Sequence, residues 1–206
     1  SALLAYTPTC PPLIDARISH QLRDCPASSR QVKEYLATHP SIDSVVMTAW
    51  WNRYFNGGVA VVDLCRTCSS TDLPEATLLA RTIDWLASDG KVITVVTQVP
   101  TYDRQVPMGL AFASLGRRSF PYKDFVEAQR EQEAFTNVLA KHAGRVRILE
   151  PAVPMCTPVC KVEQAGQVWY RDSNHLSTAG ALALVPYLAA NLQFPPRAEI
   201  RKAVDS

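Results

Sequence analysis

The chain has 206 residues, 47% hydrophobic and 19% charged, with a formal net charge of +2. That length suits one α/β domain with a sizeable core, and the balance excludes a disordered chain. Acids and bases are interspersed, so nothing resembles the basic stripe of a nucleic-acid binder, and no apolar run reaches the roughly 18–20 residues that span a bilayer.

In chain order, "ALLAY" (2–6) reads as a short buried strand, and residues 7–27, rich in Pro, Cys and Asp, read as loop. Ser28 or Ser29 is placed to cap a helix running to about Thr38, with Val32, Tyr35 and Leu36 at helical spacing. "SVVMTA" (44–49) is a continuous apolar run, as in a parallel strand covered on both faces. A strand over 59–64 follows the irregular "WWNRYFNGG", whose Gly57 and Gly58 mark a turn. "PEATLLARTIDWLASDG" predicts a helix, with Pro74 in its first turn, Leu78, Leu79, Ile83 and Leu86 as its stripe, and Gly90 as its stop.

"KVITVVTQV" (91–99) is the clearest strand. The aperiodic stretch from Pro100 to Tyr122 is longer than ordinary connections and is a candidate lid or binding loop. "DFVEAQREQEAFTNVLAKHAG" predicts one long amphipathic helix with Asp124 near its start and Gly144 after it, "RVRILEP" a strand, and "QVWYRD" a short strand. "STAGALALVPYLAANL" predicts a closing helix capped by Ser177. Strands alternating with helices argue for a three-layer α/β/α, flavodoxin-like domain with a mostly parallel sheet. Ligands of such sheets lie beyond the carboxyl ends of the strands, where the loops after "SVVMTA", "VITVVTQV" and "QVWYR" would open.

Six cysteines fall in local pairs: Cys10 with Cys25, Cys65 with Cys68, and Cys156 with Cys160. Short disulfide loops in an oxidising compartment are one reading. A zinc site built from "CRTC" and "CTPVC", with His20 nearby, is another, and unpaired core thiols a third. His20, His39 and His142 read as surface or loop residues.

The stretch "YRDSNHLSTAG" (170–180) carries the chemistry, because Asp172 stands three residues before His175 where strand passes to helix. A general base needs a neutral imidazole whose far nitrogen is fixed by an acceptor, and Asp172 supplies one if the chain turns between them. Trp169 and Tyr170, flanking the motif, either stack on a sugar or pack the strand.

"YRDSNHLSTAGA" resembles the last motif block of the SGNH (GDSL-like) hydrolase superfamily, an Asp-x-x-His ahead of the C-terminal helix. "TPTCPPLID", "SVVMTAWWNRY", "KVITVVTQVP" and "CTPVC" narrow the resemblance to one subgroup. It is the periplasmic SGNH domain fused to membrane acyltransferases of the O-antigen and peptidoglycan acetylase type. The resemblance implies serine-centred O-acyl transfer or ester hydrolysis on a cell-envelope polysaccharide, in the periplasm. The acyl group would come from a membrane acyltransferase domain, and no cofactor or metal is expected. Asp172 would orient His175, and His175 would deprotonate the serine and then the incoming hydroxyl.

Two departures qualify the match. The chain has no Gly-Asp-Ser, and its opening matches the segment that follows the nucleophile block. The expectation is therefore a single SGNH-like domain over 1–206, without its first strand and nucleophile helix, and of little activity alone. Ser1, Ser28, Ser29, Ser69, Ser70 and Ser177 sit at no predicted strand-to-helix elbow, and Ser28, Ser29 and Ser177 read as caps. The superfamily's G-x-N-D block is replaced by "WWNRY". Asn52 is the candidate oxyanion donor, and Trp51 either lines an acyl or sugar pocket or packs in the core. The alternative function is a non-catalytic glycan- or partner-binding module of the same fold, presenting the 100–122 loop.

Overall fold

Helices and strands alternate along the chain, and a computed structural model describes them over residues 5, 9–18, 24–57, 61–63 and 74–192. In order they are β1 (Ala16–Ile18), α1 (Cys25–Thr38), β2 (Ser44–Thr48), α2 (Trp51–Phe55), β3 (Val61–Asp63), α3 (Pro74–Ser88) and β4 (Val92–Val96). Then come α4 (Val106–Ser114), α5 (Phe125–Arg130), α6 (Glu133–Ala140), β5 (Val146–Leu149), α7 (Ala152–Met155), β6 (Glu163–Gln164), β7 (Gln167–Val168) and α8 (Thr178–Asn191). The strand expected at 2–6, and Ser1, His20, Gly58, Cys65, Cys68, Ser69 and Ser70, lie outside the described residues, Ala5 excepted.

The chain divides into two units, one formed by the described residues through Val96 with Ala134–Ile148, the other by Thr97–Glu133 and the chain from Leu149 through α8. In the first unit β2 pairs with β4 in parallel, from Ser44 opposite Val92 to Thr48 opposite Val96, and the sheet order is β2-β4-β5. The central strand β4 buries Ile93, Thr94 and Val95 in succession, as a strand covered on both faces does, whereas β2, the run expected to be covered that way, buries only Met47 and leaves Val46 exposed. The stripe of α3 lands as expected, with Leu78, Leu79, Ile83 and Leu86 all buried. Burying each such side chain contributes about 1.5–3 kcal/mol. Trp51 of α2 stacks on Phe135 of α6 with centroids 4.4 Å apart, and its indole N–H donates to the Val96 carbonyl at 2.9 Å.

Two expectations for this unit are corrected. Residues 16–18 are a strand, paired antiparallel to β3; buried Ala16 and Ile18 flank exposed Arg17, an alternation too brief to show as a pattern. Helix α1 starts at Cys25, because Asp24 caps it by accepting the Ala27 amide at 2.9 Å. Ser28 and Ser29 therefore lie inside the helix, their hydroxyls donating to the carbonyls of Asp24 and Pro26. A disulfide joins Cys10 to Cys25 at the first turn; closing a loop of that size is worth about 3 kcal/mol in the chain-entropy model.

The second unit gathers Tyr102, Val106, Phe120, Met155, Trp169, Tyr170 and Leu184 into a core of its own. Three expectations change here. The stretch 100–122 is not aperiodic throughout: α4 occupies 106–114, with Pro107 in its first turn and Gly116 at positive φ after it. The absence of charged residues from that helix left no polar face to reveal it. The long helix from Asp124 is broken into α5 and α6. At the break Gln132 is buried, and its carboxamide accepts the Gln98 amide (2.7 Å) and donates to the Gln98 carbonyl (3.0 Å). Asp124 does cap α5, in a reciprocal arrangement with Glu127.

Finally, "QVWYRD" does not form a strand of the parallel sheet. Among the described residues Gln167–Val168 pairs with Glu163–Gln164 alone, antiparallel, across a turn whose Ala165 and Gly166 both have positive φ. These short strands are mostly exposed and polar, which suits a surface hairpin rather than a sheet interior. A second disulfide joins Cys156 to Cys160. That loop holds the start of α5, since the Cys160 amide donates to Lys123 O at 2.7 Å and Val159 bridges Asp124.

Candidate active site

Between β7 and α8 the chain makes a closed loop. Tyr170 and Leu176 bridge antiparallel, and the Arg171 amide donates to the His175 carbonyl at 3.0 Å. Inside that loop Asp172 Oδ1 accepts the amides of Asn174 (2.9 Å) and His175 (2.7 Å). An aspartate does this readily because its short side chain reaches the backbone two and three residues on. The same carboxyl group uses its other oxygen, Oδ2, to meet His175 Nδ1 at 2.8 Å.

An ionised carboxylate can only accept, so Nδ1 carries the hydrogen and Nε2 carries the lone pair of the neutral ring. Partial burial by itself pushes the Asp172 carboxyl up. That effect is outweighed by the two amide hydrogen bonds, the His175 ring bond and the attraction of His175, which together hold it below the usual aspartate range. Arg171 Nε lies 3.8 Å from Oδ2 and favours the ionised form. The His175 side chain is 53% exposed and that of Asp172 33%, so the imidazole is open to solvent.

Contacts from distant sequence support the loop. The Tyr102 amide donates to the Ser173 carbonyl (2.9 Å) and the Val106 amide to the Asp172 carbonyl (3.1 Å). Ser177 caps α8, accepting the Gly180 amide at 3.2 Å while its hydroxyl donates to Val168 O at 2.7 Å. Gly180 lies so close to the Trp169 main chain that a Cβ there would stand 2.1 Å from its carbonyl oxygen. No sequence signal announces the Tyr102 and Val106 contacts, since main-chain donors look alike in any residue. The Gly following the Ser177 cap was the one visible trace of close packing.

Asp172 and His175 are placed by a closed loop and a helix cap, not by the end of a parallel strand. Trp169 and Tyr170 are both buried, so of their two readings packing is the one realised. Trp51 is likewise wholly buried, the packing alternative, and it offers no surface to an acyl chain or sugar. Asn52 follows it in α2 and is half-buried. Cys156 and Cys160 are bonded to each other, which removes their thiolates from the zinc alternative. Among the described residues no group of three His, Cys, Asp or Glu side chains gathers to hold a metal.

An Asp-oriented histidine ahead of a closing helix, in an α/β chain with a parallel sheet, defines the class: an SGNH-type, hydrolase-like domain. The family model described as "SGNH domain (fused to AT3 domains)" matches residues 1–190, and the chain belongs to that family. Its fold is the α/β/α arrangement with a mostly parallel central sheet. Among solved structures it is similar to the periplasmic domain of the lipopolysaccharide acetyltransferase of Salmonella ser. Paratyphi A. The identity is 16%, the TM-score 0.61, and the match covers 88% of this chain and 68% of that one. At that identity the likeness concerns the fold. A search of curated proteins finds no match. Among the described residues no helix is long and apolar enough to cross a membrane.

Proposed function

We propose that this chain serves O-acyl transfer, or ester hydrolysis, on a cell-envelope polysaccharide, as the periplasmic part of a membrane acyltransferase. The observation that carries this reading is the 2.8 Å bond between Asp172 Oδ2 and His175 Nδ1, with the imidazole exposed beyond it. The two disulfides among the described residues suit the oxidising compartment the reading requires. The similar Salmonella domain belongs to an enzyme that acetylates a lipopolysaccharide.

In this mechanism His175 Nε2 takes the proton of a serine hydroxyl as its oxygen attacks the acyl carbonyl. The Asp172 carboxylate keeps Nδ1 protonated and stabilises the imidazolium that forms. As the tetrahedral intermediate collapses, Nε2 gives that proton to the donor's leaving group, which departs and leaves an acyl-serine beside a neutral ring. The same nitrogen then deprotonates the sugar hydroxyl or water that takes the acyl group, and returns the proton to the serine oxygen as it is released. The developing oxyanion requires hydrogen-bond donors of its own. The 206 residues contain no Gly-Asp-Ser, so the serine is proposed to come from a separate nucleophile block.

On p-nitrophenyl acetate at neutral pH, this chain is expected to turn over no faster than buffer. Turnover well above buffer that vanishes in His175→Ala would overturn the separate-nucleophile proposal. In a protein that also carries the nucleophile block, His175→Ala should lower acyl transfer by about 100-fold or more; unchanged transfer would end the catalytic reading. The binding-module alternative draws on Arg117, Arg118 and Tyr122, all exposed between α4 and α5. Glycan binding that survives loss of both Asp172 and His175 would favour it.

A further inference from the structure

The Asp172–His175 pair is half in water, and an exposed hydrogen bond of this kind does little to hold its own geometry. Its order must come from the backbone on which it is mounted. Two carbonyls of that backbone, those of Asp172 and Ser173, accept from Val106 and Tyr102. Both donors belong to the stretch that leaves buried Pro100. The Pro100 carbonyl accepts the hydroxyl of Tyr170 at 2.9 Å. The rings of Tyr170 and Tyr102 meet edge to face, 5.5 Å between centroids and 89° between planes. Tyr170 is 1% exposed and stands two residues before Asp172.

A circuit results: from Tyr170 across to Pro100, along the chain to Tyr102 and Val106, and back through two amides to Asp172 and Ser173. We infer that Tyr170 is a positioning residue for the Asp172–His175 pair, acting through the 100–106 stretch rather than by touching substrate. The inference rests on the catalytic reading for its significance, but it can be tested without activity. Burial disfavours the ionised phenol, so the hydroxyl remains a donor across the working pH range. Tyr170→Phe keeps the ring and its packing, removes that donor, and leaves a buried carbonyl without its partner.

The test is a long-range proton–nitrogen correlation spectrum of the histidine rings in the 206-residue protein, above the imidazole titration. His175 is assigned by the signal lost in His175→Ala. The wild-type ring should be mainly the Nδ1–H tautomer. In Tyr170→Phe the ratio of Nδ1–H to Nε2–H should fall at least about threefold, toward the floor set by Asp172→Ala. A Phe135→Leu variant, destabilised in the other unit, should leave the ratio unchanged. An unchanged ratio in Tyr170→Phe, or an equal fall in Phe135→Leu, overturns the inference.

If Tyr170→Phe does not fold, amide exchange in the wild type decides. Tyr102 and Val106 should exchange at least about 100-fold slower than unstructured peptide, and unprotected amides there would refute the circuit. Failure of the catalytic reading shows itself elsewhere, in acyl transfer that survives His175→Ala, and leaves the ring ratio interpretable.

Discussion

In the first unit, buried groups are mostly hydrocarbon lodged against hydrocarbon: Leu78, Leu79, Ile83 and Leu86 beneath Ile93 and Val95, and Trp51 flat on Phe135. In the second unit, much of the fastening is directional. Gln132 is paired with the Gln98 backbone, Tyr170 with Pro100, the amides of Tyr102 and Val106 with the site loop, and Ser177 with both Val168 and Gly180. Apolar contact is strong and non-directional. A hydrogen bond weakens steeply outside a narrow range of distance and angle. A pair of side chains that must hold one nitrogen against one oxygen needs the second kind of construction. The chain uses it in the unit that carries Asp172 and His175.

The largest effect is expected from Phe135→Ala, which empties a wholly buried position between Trp51 and Phe55 and should cost about 3–5 kcal/mol. Denaturant unfolding measures the loss. The His175 ring spectrum of the folded fraction should match wild type; if it does not, the contrast between the units is false. Gly180→Ala should do the opposite. Its Cβ meets the Trp169 main chain, which cannot swing away as a side chain can, so a cost of about 1–3 kcal/mol should come with a disturbed His175 signal. An undisturbed ring would mean that α8 shifts without moving the loop.

The smallest effect sharpens the contrast through pH. Because the Asp172 carboxyl is held below its usual range in the folded chain, it contributes stability that is fully present above the unfolded value near ~3.9. That contribution is lost as pH falls through the lower folded value. Wild type should therefore be more stable than Asp172→Asn at neutral pH, with the gap closing on acidification below pH ~3.9. A gap that widens in acid would contradict the amide bonds assigned to Oδ1.

Much of the first unit was legible in the sequence, since its elements are periodic: β2 and α3 lie within a residue or two of expectation, and β4 falls inside the expected 91–99. The Asp172–His175 pairing was legible because it is local, three residues apart, and a turn between them is what an aspartate favours. What the sequence hid was non-local or unpatterned. Residues 16–18 are too few to alternate visibly, α4 lacks the polar face that marks amphipathic helices, and α5 and α6 part where Gln132 answers to Gln98, 34 residues away. The strand reading of "QVWYRD" was misled by Trp169 and Tyr170, bulky β-formers that here fill a core outside any sheet.

Ser177 grips the chain on both sides at once, and this sets a rule for transplanting the motif. A designer who copies only Asp-x-x-His into another scaffold would carry over the chemistry without its frame. The smallest portable piece runs from Val168 through Gly180, its length invariant because both ends are clasped by one hydroxyl, and the recipient must furnish two outward-facing peptide hydrogens where Tyr102 and Val106 now stand.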